Sequence, residues 1–185
     1  SEHDYEPYRR FRGGGYWLWK PYLIRKALEE LSDGDILLYM DCGDAFTKEC
    51  TNLASTLIEL LDLEDMYLTT GGFRHGDWTK RDCFHIMNCD TPEYHNRVQL
   101  EAGMCAFKKT QRTMEVVNEW LMFAKNPAIL TDDPNICGMG NLPGFKDHRH
   151  DQSILTNIYI RKNLTAGSEL RLFIVGNGRN SPLAS

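Results

Sequence analysis

The stretch Ile36-Leu37-Leu38-Tyr39-Met40-Asp41-Cys42-Gly43-Asp44 decides how the rest of the chain is read. Its continuous apolar run, without the alternation of a half-exposed strand, predicts a short strand buried on both faces. Such strands belong to open α/β sheets, where ligands gather beyond the carboxyl ends of the strands. Asp41 stands at that end, and the small, turn-prone residues after it let backbone approach a ligand closely. A carboxylate so placed suits a hard divalent cation, Mg²⁺ or Mn²⁺, held by one or two carboxylates together with phosphate oxygens of the ligand. Asp41, with Asp44 as a second, meets that need; the plainer reading is that both cap the next segment.

Outward from this strand, helix and strand patterns alternate, which predicts a single α/β domain over residues 1–185. Tyr22, Ile24, Ala27, Leu28 and Leu31 recur at helical spacing behind Pro21, a favoured first-turn residue. Further helices are expected over 51–61, from near Thr79, and over 111–125, where Met114, Val117, Leu121 and Ala124 form a stripe that Thr110 can cap. Residues 103–107 and 170–175 read as strands, and 177–185 as a tail. The segment 126–149, with its prolines and glycines, is expected to be a mobile lid. Asp151 is placed to cap a helix carrying Ile154, Leu155 and Ile158.

Composition narrows the class. A net charge of −5 gives no broad basic surface, so nucleic acid is not expected as a partner, and Arg9, Arg10 and Arg12 form only a local basic run. No apolar run approaches the roughly 18 to 20 residues that a membrane helix needs. Six cysteines without a CxxC pair argue against structural zinc and for reduced, mostly buried thiols, with one or two disulfides left open. The chain has no initiator Met, no signal-peptide pattern and no opening strand, and the expectation is that an upstream portion precedes it.

Two further strings carry chemistry. In Arg12-Gly13-Gly14-Gly15-Tyr16-Trp17-Leu18-Trp19-Lys20-Pro21, glycines beside cations can form an anion-binding concavity, and Trp17 and Trp19 offer faces to a sugar or base. No Gly-Lys-Ser/Thr follows, so this is not a P-loop. Asp147-His148-Arg149-His150-Asp151-Gln152-Ser153 is too polar for a core and offers metal, phosphate and acceptor contacts, the plainer reading being a charged helix entry. A Ser-His-Asp hydrolase is disfavoured, because these residues are sequence neighbours and no Gly-x-Ser-x-Gly elbow exists. Trp78-Thr79-Lys80-Arg81-Asp82 and Gln99-Leu100-Glu101-Ala102-Gly103 are smaller polar elements, each by itself more readily structural.

Together these strings resemble the small nucleotide-diphosphosugar transferases of capsular-polysaccharide loci and of algal and viral genomes. The resemblance runs co-linearly through 15–21, 38–43, 78–82, 99–103 and 148–153. It implies a Rossmann-like glycosyltransferase A fold, a mixed sheet flanked by helices whose N-terminal, base-binding strand would lie before Ser1. Asp41 matches the first Asp of an Asp-x-Asp motif, and Gly43 stands where the second Asp would be. The implied activity is metal-assisted transfer of a sugar from a nucleotide-diphosphate donor to a glycan or protein hydroxyl. Asp41, Asp44, His148 and His150 would serve Mn²⁺ or Mg²⁺; Arg12, Gly15, Trp17, Trp19, Lys20 and Gly43 would serve the donor. Asp151, Gln152, Lys80 and Asp82 would serve the reaction, the lysines neutralising leaving-group charge. The alternative is a non-catalytic relative acting as a binding or structural subunit of a larger assembly; a metal-dependent hydrolase is a more distant third. The compartment stays open between the Golgi lumen for a eukaryotic source and the cytoplasm for a bacterial or viral one.

Overall fold

The computed structural model describes residues 11–176; Arg9, Arg10 and the expected tail lie outside them. Strands β1 (Ile36–Met40), β2 (Asp44–Phe46), β3 (Met66–Arg74), β4 (Val98–Lys108), β5 (Ala166–Gly167) and β6 (Ile174–Gly176) alternate with helices. The helices are α1 (Trp19–Glu29), α2 (Leu53–Leu60), α3 (Arg81–Ile86), α4 (Pro92–His95), α5 (Gln111–Ala124), α6 (Pro127–Leu130) and α7 (His150–Lys162). The chain is therefore mixed α/β. Its main sheet has the order β1-β4-β3-β5, and β2 pairs with β6 in a separate ribbon. β4 runs antiparallel to both β1 and β3, while β5 lies parallel to β3.

The strand predicted to be buried on both faces is instead an edge strand. All five residues of β1 are half-buried, because β4 is its only ladder partner among the described residues. The doubly buried strand is β4, in which Leu100, Ala102, Met104, Cys105, Ala106 and Phe107 are at most 1 % exposed. Its side chains serve two cores. Cys105 and Phe107 pack with α1, α5 and α7 through Leu28, Trp120 and Leu155. Met104 and Ala106 pack against Leu53 and Leu57 of α2. That is the period-2 alternation of a strand covered on both faces.

The β3–β4 register shifts twice, between Leu68 and Thr69 and between Thr70 and Arg74, and the first shift lies near β1. Leu68 pairs with Cys105, but its neighbour Thr69 pairs with Glu101, so residues 102–104 bulge out of the ladder. Bulges bend a strand and re-aim the side chains beside them. Here the bulge lies beside the end of β1, where Asp41 N donates to Gly103 O at 2.8 Å.

The helices obey their sequence logic closely. Thr110 accepts from Thr113 N at 3.1 Å to cap α5, and Val117, Leu121 and Ala124 are buried as the stripe predicts, joined by Thr113, Val116 and Trp120. α7 starts two residues early, at His150 with Arg149 before it. Asp151 therefore lies inside its first turn, and no side chain caps it. The strand expected over 170–175 is a 3-10 turn over Glu169–Phe173 and then the short β6. All six cysteines are free thiols, three of them buried. No helix among the described residues is long and apolar enough to cross a membrane.

Candidate functional site

The triple glycine builds an unusual entry to α1. Gly13, Gly14, Gly15, Tyr16 and Trp17 all have φ between 55° and 103°, a left-handed turn that glycine adopts freely and that costs Tyr16 and Trp17 about 1 kcal/mol each. Trp17 folds back against Gly13, where a Cβ would collide with its ring. Trp19 Nε1 donates to Gly13 O at 3.0 Å, which locks the turn. Trp17 is left stacked on His150, with ring centroids 5.6 Å apart.

Below Trp17 opens a cavity of about 180 Å³ that gathers Arg12, Lys20, Asp41, His150, Asp151 and Gln152, with Gly103 and Arg149 completing its wall. Lys20, only 3 % exposed, reaches the bulge: its Nζ donates to Ala102 O at 3.0 Å. The same nitrogen lies 3.4 Å from Asp41 Oδ1 and 3.4 Å from Asp151 Oδ2. Burial works against the ammonium, but Asp151 and Asp41 outweigh it and hold the Lys20 pKa above its ordinary value. Burial pushes the Asp151 carboxyl up to about 6, with Lys20 pulling against that rise. Tyr39 donates to Asp41 Oδ1 at 2.6 Å; burial and this carboxylate raise the phenol pKa strongly. Gln152 Oε1 accepts from Ala102 N at 3.3 Å, tying α7 to the bulge.

Gly103 explains how carboxylates can share this place. A Cβ there would lie 3.3 Å from Asp41 Oδ2 and 3.9 Å from Asp44 Oδ2. Both carboxylates thus face the bare backbone of one residue, and burial together with Asp41 raises the pKa of Asp44. A pair of hard oxygen ligands beside open backbone fits Mg²⁺ or Mn²⁺, whose remaining positions water and phosphate fill. Among the described residues no group of three or more His, Cys, Asp and Glu is placed to hold a metal; a cation here would take these two carboxylates from the protein. Asp44 also lines a neighbouring cavity of about 300 Å³ with Glu101 and Arg171, and Gly103 lines both cavities.

Other predicted residues sit elsewhere. The expectation that His148 ligates a metal meets a ring with no free nitrogen: Nδ1 accepts from Lys80 N at 3.3 Å, and Nε2 faces Ile129 O at 2.8 Å. Burial holds its pKa well below the usual histidine range. His150 Nδ1 lies 2.8 Å from Leu130 O, and its Nε2 is 3.7 Å from Asp132 rather than beside Asp41. Lys80 Nζ donates to Asp133 O at 2.7 Å and Thr131 O at 3.3 Å. Asp82 accepts from Ile136 N and Cys137 N at 2.8 and 2.9 Å. These two residues fasten the segment 126–149, with help from Asn141 on Arg81 N and Asn135 on Asp82 N. A segment fastened at so many points differs from the free lid that its prolines and glycines predict. Gly15 serves the left-handed turn, and Gly43 is exposed with nothing within 4 Å of its Cβ position.

Sequence reasoning missed Arg149, Gly103 and Tyr39 as members of the site. Each lies inside a motif string already singled out, but only the bulge turns Gly103 toward Asp41. The remaining strings meet in a buried network, in which Thr79 Oγ1 donates to Ser153 Oγ at 2.9 Å and Ser153 Oγ to Trp78 O at 3.0 Å. Compared with known proteins, the chain matches no family model, no curated protein and no solved structure.

Proposed function

We propose that this chain is a glycosyltransferase of the A-fold type, moving a sugar from a nucleotide-diphosphate donor to a glycan or protein hydroxyl. The observation that carries the reading is the buried Lys20 ammonium held between Asp41 and Asp151, at a strand bulge that opens into a cavity walled by Arg12, Arg149 and Trp17. A departing diphosphate gains negative charge, and cations fixed in a part-buried cavity stabilise that charge without reorganising. Lys20 and Arg149 supply the positive charge, while Arg12 stands at the wall paired to Asp147 at 2.7 and 3.1 Å. Mn²⁺ or Mg²⁺, when bound through Asp41 and Asp44, would add Lewis-acid polarisation of the phosphates. Asp151 and Gln152 orient the sugar from the first turn of α7, and Trp17 gives its ring a flat face.

A second reading is supported by Gly43, which stands where the second Asp of the motif would be. In it the same cavity binds a sugar nucleotide without turnover, inside a larger assembly. A thermal-shift panel of nucleotide sugars with and without Mn²⁺ tests donor binding, because a ligand specific to the native state raises its stability. Release of nucleoside diphosphate dependent on an acceptor separates transfer from binding. No shift with any nucleotide sugar overturns both readings.

A further inference from the structure

The two oxygens of the Asp41 carboxylate meet different surroundings. Oδ1 is held by the protein itself: the Tyr39 phenol donates to it at 2.6 Å, and Lys20 Nζ lies 3.4 Å away. Oδ2 faces the bare backbone of Gly103, 3.3 Å from where a Cβ would stand, and among the described residues no donor reaches it. Asp44 Oδ2 faces the same glycine. Tyr39 stands two residues before Asp41, the spacing that puts side chains on one face of an extended chain. Its ring packs at the margin of the larger core, with Lys20 Nζ 5.4 Å from the ring centroid. The phenol is therefore fixed by more than the bond it makes. A phenol bonded so closely to a carboxylate forms a charge-assisted hydrogen bond, roughly twice as strong as a neutral one.

A carboxylate that gives one oxygen to a phenol has the other left for a cation. Small octahedral ions such as Mg²⁺ are served by single oxygens at short range, whereas Ca²⁺ takes more ligands and readily accepts both oxygens of one carboxylate. We propose that Tyr39 is a positioning residue that selects the cation at Asp41. By occupying Oδ1 it leaves Oδ2 for a small ion and denies Ca²⁺ the two-oxygen grip. This rests on the reading of Asp41 and Asp44 as the carboxylates for the metal of a nucleotide-diphosphate ligand, and concerns which ion they accept. Groups that orient a metal ligand in this way are typically worth roughly 10- to 100-fold in metal affinity. Lys20 holds Oδ1 less closely, because its Nζ already donates to Ala102 O.

The test is calorimetric titration of UDP and of GDP into the chain and into Tyr39→Phe, each with Mn²⁺, Mg²⁺, Ca²⁺ or chelator, beside thermal unfolding of both proteins. Phenylalanine keeps the ring and its packing and removes only the hydroxyl. In the unsubstituted chain, nucleotide should bind at least about tenfold tighter with Mn²⁺ or Mg²⁺ than with Ca²⁺. In Tyr39→Phe, binding with Mn²⁺ should weaken roughly tenfold, and the preference over Ca²⁺ should shrink to within about threefold. A hydroxyl with a merely structural role would lower stability, or lower affinity with all three ions alike. Either pattern with the ion preference kept overturns the proposal, while metal-dependent nucleotide binding stands. Binding that chelator leaves unchanged overturns the proposal and the metal's part together. If neither nucleotide binds with any ion, this inference and the donor reading both fall. Should Tyr39→Phe fail to fold, the unsubstituted chain decides by itself: a preference against Ca²⁺ supports the proposal, and Ca²⁺ serving as well as Mn²⁺ overturns it.

Discussion

Lys20 and Lys80 are both 3 % exposed, both sit beside carboxylates, and both stand out in the sequence as cations for a diphosphate. Their surroundings differ. Lys80 faces backbone carbonyls of Thr131 and Asp133 with Asp82 at 3.9 Å, and burial leaves its pKa below the ordinary value. Asp82, for its part, is satisfied by two backbone N–H groups. This is a closed knot that fixes a segment. Lys20 has one carbonyl and two carboxylates, its pKa is raised, and one of those carboxylates, Asp151, keeps a buried oxygen without a hydrogen bond. A buried charge surrounded by chain holds structure, whereas the buried charge with partners left over is where we propose that a ligand binds.

The largest effect should come from breaking the closed knot. Lys80→Met leaves Asp82 and two carbonyls without their cation, and should cost about 3 to 5 kcal/mol of stability. Denaturant unfolding measures it, and hydrogen exchange should show segment 126–149 loosened. A loss well under 1 kcal/mol would remove the contrast between the two lysines.

The next largest effect separates the regions by pH. Asp151 is raised to about 6 in the fold, above its unfolded value, so the folded state takes up its proton first as pH falls. Its burial penalty is fully present above pH 6 and is relieved toward pH 4, worth up to about 3 kcal/mol. His75, pushed down to about 3 by burial, and the lowered His95, His148 and His150 act in the opposite sense. The unfolded chain protonates them near 6.5 while the fold does not, so stability drops below that pH. The chain should therefore lose stability on acidification below 6.5, and Asp151→Asn should lose it more steeply between pH 6 and 4. Parallel curves for the two proteins would contradict the assignment.

Smaller stability effects are expected at the open site, with larger effects on binding. Asp41→Ala should change stability by less than about 1 kcal/mol, since the carboxylate is half-exposed, yet weaken metal-dependent nucleotide binding at least about tenfold; Asp44→Ala should do less. Trp17→Leu removes a half-buried ring and relieves no core, so it should cost less than the roughly 3 kcal/mol of a buried tryptophan such as Trp120. Ligand should quench part of the tryptophan fluorescence, and that quench should shrink in Trp17→Leu. Equal quenching in both would put Trp17 outside the proposed donor pocket.

Much of this was legible in one dimension. The caps and stripes of α1 and α5 are local, so periodicity finds them. β3 was not, because Gly71-Gly72 and the threonine pair hide a strand whose stability comes from pairing with β4. The apolar run of β1 could not say how many neighbours it has, and an edge position looks the same as a central one. At the site, Asp41, Lys20, Trp17 and Asp151 were readable from motif strings. The sorting of Lys20 from Lys80, and of His150 from His148, was not. It depends on contacts with Ala102, Asp133 and Ile129 that lie far away in sequence, and on a bulge that no local pattern announces.

We propose above all that the Lys20–Asp41–Asp151 cavity binds a nucleotide-diphosphate sugar. Calorimetric titration of UDP- and GDP-hexoses into the chain and into Asp41→Ala, with Mn²⁺ and with chelator, addresses it most directly. The expected result is binding that needs the metal and disappears in a folded Asp41→Ala. Equal affinity in the two proteins, or binding indifferent to Mn²⁺, would contradict it.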